Sequence, residues 1–298
     1  MRSRFCRPWI FAALLSAAIC YAPARSAGAQ DSEVLLPDQS AAKAKQIIRQ
    51  AIAALGGPAY LNVHDVTCTG NLGQFDHSGQ LSGFEKFVDY SEPPSKDRTE
   101  NLPQHNEIQI FNGDEGWTLD RGGVSDEPAT LVAEFQGNLK KNLNNILRHR
   151  INEPDMDISY AGPDIVELKQ VDWVQLIDSD DRTIRIAFNQ ATHLPIQETV
   201  QTRDPQFHAP MTEVDYFSLY YDENGIQTPK QIMRERNGMK TYQVFFDKCE
   251  YNTGLEDSFF TKQSLDERWA KMPNHEKYHD KNKKDKNSDA SSDTSLNN

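Results

Sequence analysis

Residues 213–260 read EVDYFSLYYDENGIQTPKQIMRERNGMKTYQVFFDKCEYNTGLEDSFF, three runs rich in aromatic and β-branched side chains punctuated by Asn224-Gly225 and Asn237-Gly238. An Asn-Gly pair supplies the two positive-φ positions of a tight hairpin turn, so the runs are expected to lie antiparallel as a meander. The last run, Lys240 to Tyr251, carries apolar residues in both registers of the strand alternation: Tyr242, Val244 and Phe246 in one, Phe245, Cys249 and Tyr251 in the other. A strand that is apolar on both faces belongs to a sheet that is covered on both sides or encloses something.

Upstream, period-two alternation recurs at Val66, Cys68 and Leu72, at Phe84, Val88 and Tyr90, and at Ile108 and Ile110, with a further turn at Asn112-Gly113. More strands are expected at Ile165 to Lys169, Trp173 to Ile177, Thr183 to Phe188 and Ile196 to Thr202. Helical spacing occurs at two places. Asp38 to Leu55 carries Ala41, Ala44, Ile48, Ala51, Ile52 and Leu55 on one stripe, closed by Gly56-Gly57-Pro58. Pro128 to Arg150 carries Leu131, Phe135, Leu139, Leu143, Ile146 and Leu147. Strand, turn, strand order with helices at only two points argues against a parallel βαβ fold and predicts a mainly β, α+β domain.

The first 29 residues form a signal peptide by pattern. Arg2, Arg4 and Arg7 precede an apolar run from Trp9 to Cys20, and Ala27-Gly28-Ala29 fits the small-residue rule for cleavage. The apolar run is too short to span a bilayer, so a periplasmic rather than an integral membrane protein is expected. Loss of the leader's four arginines takes the formal net charge from −12 to −16. Such a surface repels phosphate backbones, which argues against nucleic acid. Cys68 and Cys249 remain after cleavage; in an oxidising compartment they form one disulfide or stay as two buried thiols. The domain is expected over residues 30–265, followed by a disordered tail over 266–298 that is almost wholly Lys, Asp, Asn and Ser from Lys277 onward.

Few stretches carry the pattern of catalysis. His275-Glu276-Lys277-Tyr278-His279 spells H-E-x-x-H, in which His275 and His279 would grip zinc and Glu276 would activate water. It stands at the start of the tail, with no apolar face to seat it and no third ligand after it, so neither a metal nor an enzyme is expected. Asp178-Ser179-Asp180-Asp181 lacks the glycine and the terminal glutamate of a calcium loop and reads as a polar hairpin tip. No cofactor motif occurs. The sequence offers instead apolar surface: a curved sheet with helices over its concave side leaves an apolar pocket, whose candidate lining is Phe84, Val88, Trp117, Leu131, Phe135, Leu139, Phe188 and Phe245. An ordinary packed core is the alternative reading of the same stripes.

The order of elements resembles the LolA/LolB-like superfamily of bacterial envelope proteins. The likeness is carried by the leader and first amphipathic helix, by Pro93 to Glu100 (PPSKDRTE), by Ile108 to Trp117 (IQIFNGDEGW) and by Asp257-Ser258-Phe259-Phe260. It implies an open antiparallel half-barrel with helices covering the concave face, and a pocket that takes acyl chains. A periplasmic carrier of a lipid-like ligand is the function implied; a sensor or assembly protein binding an envelope protein partner is the alternative. Where the lipoprotein carriers place an arginine before the proline that ends an early strand, this chain has Glu92 before Pro93. A divergent envelope protein of that fold is therefore expected, rather than a lipoprotein carrier in the strict sense.

Overall fold

A computed structural model describes residues 35–203 and 209–272. The expected leader and the H-E-x-x-H stretch with His275, Glu276 and His279 lie outside the described residues.

The described chain forms helix α1 (Pro37–Leu55), the single turn α2 (Pro58–Leu61), strands β1 (Val66–Phe75), β2 (Leu81–Glu92), β3 (Lys96–Leu102), β4 (Ile108–Asn112), β5 (Glu115–Asp120) and β6 (Gly123–Asp126), then helices α3 (Ala129–Lys140) and α4 (Leu143–Arg148). Strands β7 (Asp157–Val166), β8 (Lys169–Ile177), β9 (Thr183–Asn189), β10 (Pro195–Arg203), β11 (Pro210–Glu223), β12 (Ile226–Arg236) and β13 (Met239–Tyr251) follow, and α5 (Lys262–Lys271) comes last. All thirteen strands lie in one antiparallel sheet of order β6-β5-β4-β3-β2-β1-β13-β12-β11-β10-β9-β8-β7. The sheet is a meander whose ends are spliced at β1 and β13, leaving β6 and β7 as its edges. It is an open half-barrel, as the family resemblance implied.

The two Asn-Gly turns are where the sequence placed them. Asn224 and Gly225 have φ of 55° and 85°, Asn237 and Gly238 52° and 77°, and they join β11 to β12 and β12 to β13. A third tight turn falls at Glu167 and Leu168, with φ of 47° and 62°. The strand expected over Ile165 to Lys169 is thus the tip of the β7–β8 hairpin. Neither residue is a glycine or asparagine, so composition gave no turn signal there.

α1 starts at Pro37, whose missing N–H costs nothing in the first turn, and buries Ala44, Ile47, Ile48, Ala51 and Leu55 against β7, β8 and β12. It stops at Gly56, φ 130°. A Cβ there would meet the carbonyl oxygen of Gly225 at 2.4 Å, so the end of α1 rests directly on the β11–β12 turn.

The second helix is broken. α3 and α4 replace the continuous helix expected from Pro128 to Arg150, because Asn142 leaves the helix and accepts a hydrogen bond from the Asn145 N–H at 3.1 Å, capping α4. The last helix overruns an expected boundary: α5 extends to Lys271, so residues 266–271 belong to the folded domain and not to the tail. Thr261 caps it, and Leu265 is buried with Phe260 against Ile108, Ile110, Trp117 and Leu119 on the outer face of the sheet.

Candidate functional site

Antiparallel alternation should place Tyr242, Phe246, Cys249 and Tyr251 on different faces of β13. It does not, because the register with β1 shifts: Thr69 pairs with Lys248 but Gly70 with Phe246, leaving Asp247 as an extra residue. One inserted residue inverts the alternation. Cys249 and Tyr251 therefore join Tyr242 and Phe246 on the concave side, while Phe245 stays on the outer face, 42% exposed. The apparent two-sidedness of this strand comes from the bulge.

These residues form part of the wall of a concave cavity of about 390 Å³, within the range of small-molecule sites. Leu55, Val66, Leu143, Phe217, Ile226 and Ile232 supply apolar surface from α1, β1, α4, β11 and β12. Leu139 from α3 lies at its edge. Cys68 and Cys249 stand opposite each other in register and are joined by a disulfide in the cavity wall, with 4.1 Å between their Cα atoms.

Beside this larger apolar part the lining carries a row of polar and charged groups. Glu198, Asp215, Arg234 and Tyr242 stand side by side on β10, β11, β12 and β13, each in direct register with the next. Arg234 donates two parallel hydrogen bonds to Asp215, at 2.7 and 2.6 Å. Two residues along β11, Glu213 accepts from Arg236 at 2.8 Å and pairs with Lys141 at the end of α3, which ties that helix to the sheet. Glu198 is 2% exposed and its Oε1 has no hydrogen-bond partner. Burial, and then the charge of Asp215, hold its carboxyl well above the usual range.

On the other wall, Asp89 and Asp97 converge on the hydroxyl of Thr99. Burial pushes Asp89 up to about 6, and burial followed by Asp89 raises Asp97 well above its ordinary value. From α4, the Arg148 guanidinium lies 4.3 Å over the Tyr60 ring, its Nε without a hydrogen-bond partner. The Tyr60 hydroxyl donates to Asn144 at 2.9 Å, and burial raises its pKa.

Most of the eight residues expected to line the pocket lie elsewhere. Leu139 alone borders this cavity. Phe135 stacks on Phe111, 4.4 Å between ring centroids and 9° between planes, beneath α3. Leu131 is exposed on the outside of α3. Phe188 is packed in the core with α1. Val88 lies between the inward Phe87 and Asp89 and so points outward; Trp117 is packed under α5. Phe84 and Phe245 are exposed on the outer face, 65% and 42%. Aromatic alternation found the strands but not which face of each turned inward. The sequence reading missed Asp89, Asp97, Glu198, Asp215 and Arg234, because a charge in a strand reads as a solvent-facing position. The available signal was parity, since Glu198 shares its face with buried Val200 and Asp215 with buried Phe217.

Asp178, in the polar hairpin tip of Asp178-Ser179-Asp180-Asp181, is spent on arginines: it accepts from Arg182 at 2.6 Å and from Arg150 at 3.2 Å. Among the described residues no group of three or more His, Cys, Asp or Glu side chains is arranged to hold a metal ion.

No protein-family model matches the chain, and no curated protein matches its sequence. Solved structures do. A domain named for outer membrane lipoprotein sorting, from Vibrio parahaemolyticus, aligns over 76% of this chain and 99% of its own, with a TM-score of 0.52 and 13% identity. A DUF1329 family protein from Desulfovibrio piger aligns over 74% and 98%, with a TM-score of 0.54 and 14% identity. At such identities the likeness concerns the fold. The half-barrel is LolA-like, as the sequence resemblance implied, and among the described residues no helix is long and apolar enough to cross a membrane.

Proposed function

We propose that this protein is a periplasmic binding or carrier protein for an amphiphilic, acylated ligand held in the concave cavity. The observation that carries the reading is the cavity itself: about 390 Å³ enclosed between the sheet and α1, α3 and α4, with apolar walls from five elements. A packed core would have closed that space, because interiors fill to crystal-like density. The open LolA-like sheet supports the same reading, and the leader pattern supports export, with a mature chain beginning near Gln30. Mass spectrometry of an organic extract of gently purified protein is the test. A stoichiometric lipid-like species is expected; an empty protein that also fails to bind a fluorescent acyl probe would refute the proposal.

One observation favours a second reading, in which an envelope protein is the partner. Phe84 and Phe245 lie diagonally on the outer face, against Gly73 and Asn71 of β1, and both are exposed. Paired exposed aromatics are a feature of contact surfaces. Loss of a co-purifying envelope protein on Phe84→Ser, with acyl binding intact, would favour it.

A further inference from the structure

The cavity's charges do not balance. Asp215 is committed to Arg234, Glu213 to Lys141 and Arg236, and Lys96 to Glu92 and Asp257. Three carboxyl groups remain without an ion-pair partner among the described residues: Glu198, Asp89 and Asp97. Against them stands one guanidinium, Arg148, which rests on the Tyr60 ring. The Glu198 Oε1 has no hydrogen bond at all although the residue is 2% exposed. Such an atom costs free energy in an unliganded fold and is stabilised by any donor that reaches it.

We infer that the cavity selects ligands whose head group carries an ammonium, with Glu198 as its hydrogen-bonded counter-ion and the Asp89–Asp97 pair completing an acidic surround. This deepens the carrier reading and rests on it: the apolar wall takes the chain, and the excess carboxyls decide the charge of the head. A metal ion is the weaker candidate, since no three ligating side chains converge among the described residues. An anionic head is disfavoured because it would oppose the ionisation of three carboxyls while gaining only Arg148. The raised pKa of Glu198 accords with this. A carboxyl that holds its proton more tightly in the empty site gives that proton up to solvent when an ammonium takes its place.

The experiment uses the full chain and three probes of one length, decylammonium, decanol and decanoate, by titration calorimetry below their micellar concentrations. Decylammonium should bind about tenfold or more tightly than either other probe, the factor a hydrogen bond to a charged group supplies, and should release protons, read from the dependence of heat on buffer. Glu198→Gln should remove most of that preference and the proton release while changing decanol binding far less, since the amide oxygen still accepts from a hydroxyl. Asp97→Asn is a second variant at a separate point of the surround and should reduce the preference in the same direction. Equal binding of the three probes, or tighter binding of decanoate, overturns the ammonium assignment and leaves the carrier reading standing. Failure of all three to bind overturns both.

Discussion

The carboxyl groups of Asp89 and Asp97, on adjacent strands, meet at one hydroxyl, that of Thr99, at 2.9 and 3.4 Å. Lys96, beside Asp97 in the chain, is committed to Glu92 and Asp257 and compensates neither. Two carboxylates this close in a cavity cannot both ionise cheaply, so the folded chain retains protons that the unfolded chain has released. Their contribution to stability is therefore full below about pH 4, the ordinary aspartate range. It declines as pH rises through the Asp89 value of about 6 and is lost once Asp97, which burial and Asp89 also raise, has ionised as well. Asp89→Asn should remove this loss, making the variant more stable than the parent by about 1–2 kcal/mol at pH 8 and little different at pH 4. Urea unfolding at both pH values is the measurement, and a difference independent of pH would show that the pair does not share protons.

Closing the sheet between β1 and β13 joins strands from opposite ends of the chain, and the disulfide fixes that seam. Its cysteines are 181 residues apart in sequence. A cross-link across so long a loop stabilises by about 3–5 kcal/mol in the chain-entropy estimate, chiefly by restricting the unfolded state. Replacing both cysteines by serine should lower the urea midpoint accordingly. Thiol titration of the denatured, non-reduced parent should find no free thiols from Cys68 and Cys249. Two free thiols per mature chain would refute the bridge.

Arg98 anchors the C-terminal segment to the outer face of β3. It is buried, donates to Glu100 at 2.6 Å, and reaches both the Phe259 carbonyl and the Ser264 hydroxyl at 2.9 Å, its guanidinium 4.1 Å over the Phe259 ring. His105 closes the other side of Glu100 at 2.6 Å. Arg98→Met would leave the buried Glu100 carboxylate with His105 in place of two partners and free the Phe259 carbonyl and Ser264 hydroxyl, a loss of about 3 kcal/mol. Adding Glu100→Gln should restore a good part of it, because the desolvated charge disappears with its partner. Additive losses in the double variant, measured by thermal unfolding, would mean that the two side chains do not act as a pair.

Turn chemistry and alternation made the strand order around β11–β13 legible from sequence, since Asn-Gly pairs and period-two aromatics report local backbone preference. The cavity was not legible for a different reason. Which face of a strand turns inward depends on register, and a single extra residue at Asp247 moved Cys249 and Tyr251 across the sheet. The Glu198–Asp215–Arg234–Tyr242 row exists only after four strands align, so no window of sequence contains it. The break between α3 and α4 was hidden by leucines and isoleucines that kept helical spacing across Lys141 and Asn142.

α3 gives the last prediction. None of its residues is fully buried, and it is held by the Phe135–Phe111 stack and by Lys141 on Glu213. It carries Asn138 and Leu139 to the cavity edge. Phe135→Asp removes the stack and places a carboxylate against the Phe111 ring, which should release the start and middle of α3 while Lys141 keeps its end attached. The expected cost is about 1–2 kcal/mol, well short of that of a core truncation, so unfolding should stay cooperative. Binding of a fluorescent acyl probe should weaken several-fold, because a loosened α3 no longer seals the edge where Leu139 sits. Global unfolding of the variant would place Phe135 in the core of the domain. Unchanged probe affinity in a folded variant would mean that α3 plays no part in closing the cavity.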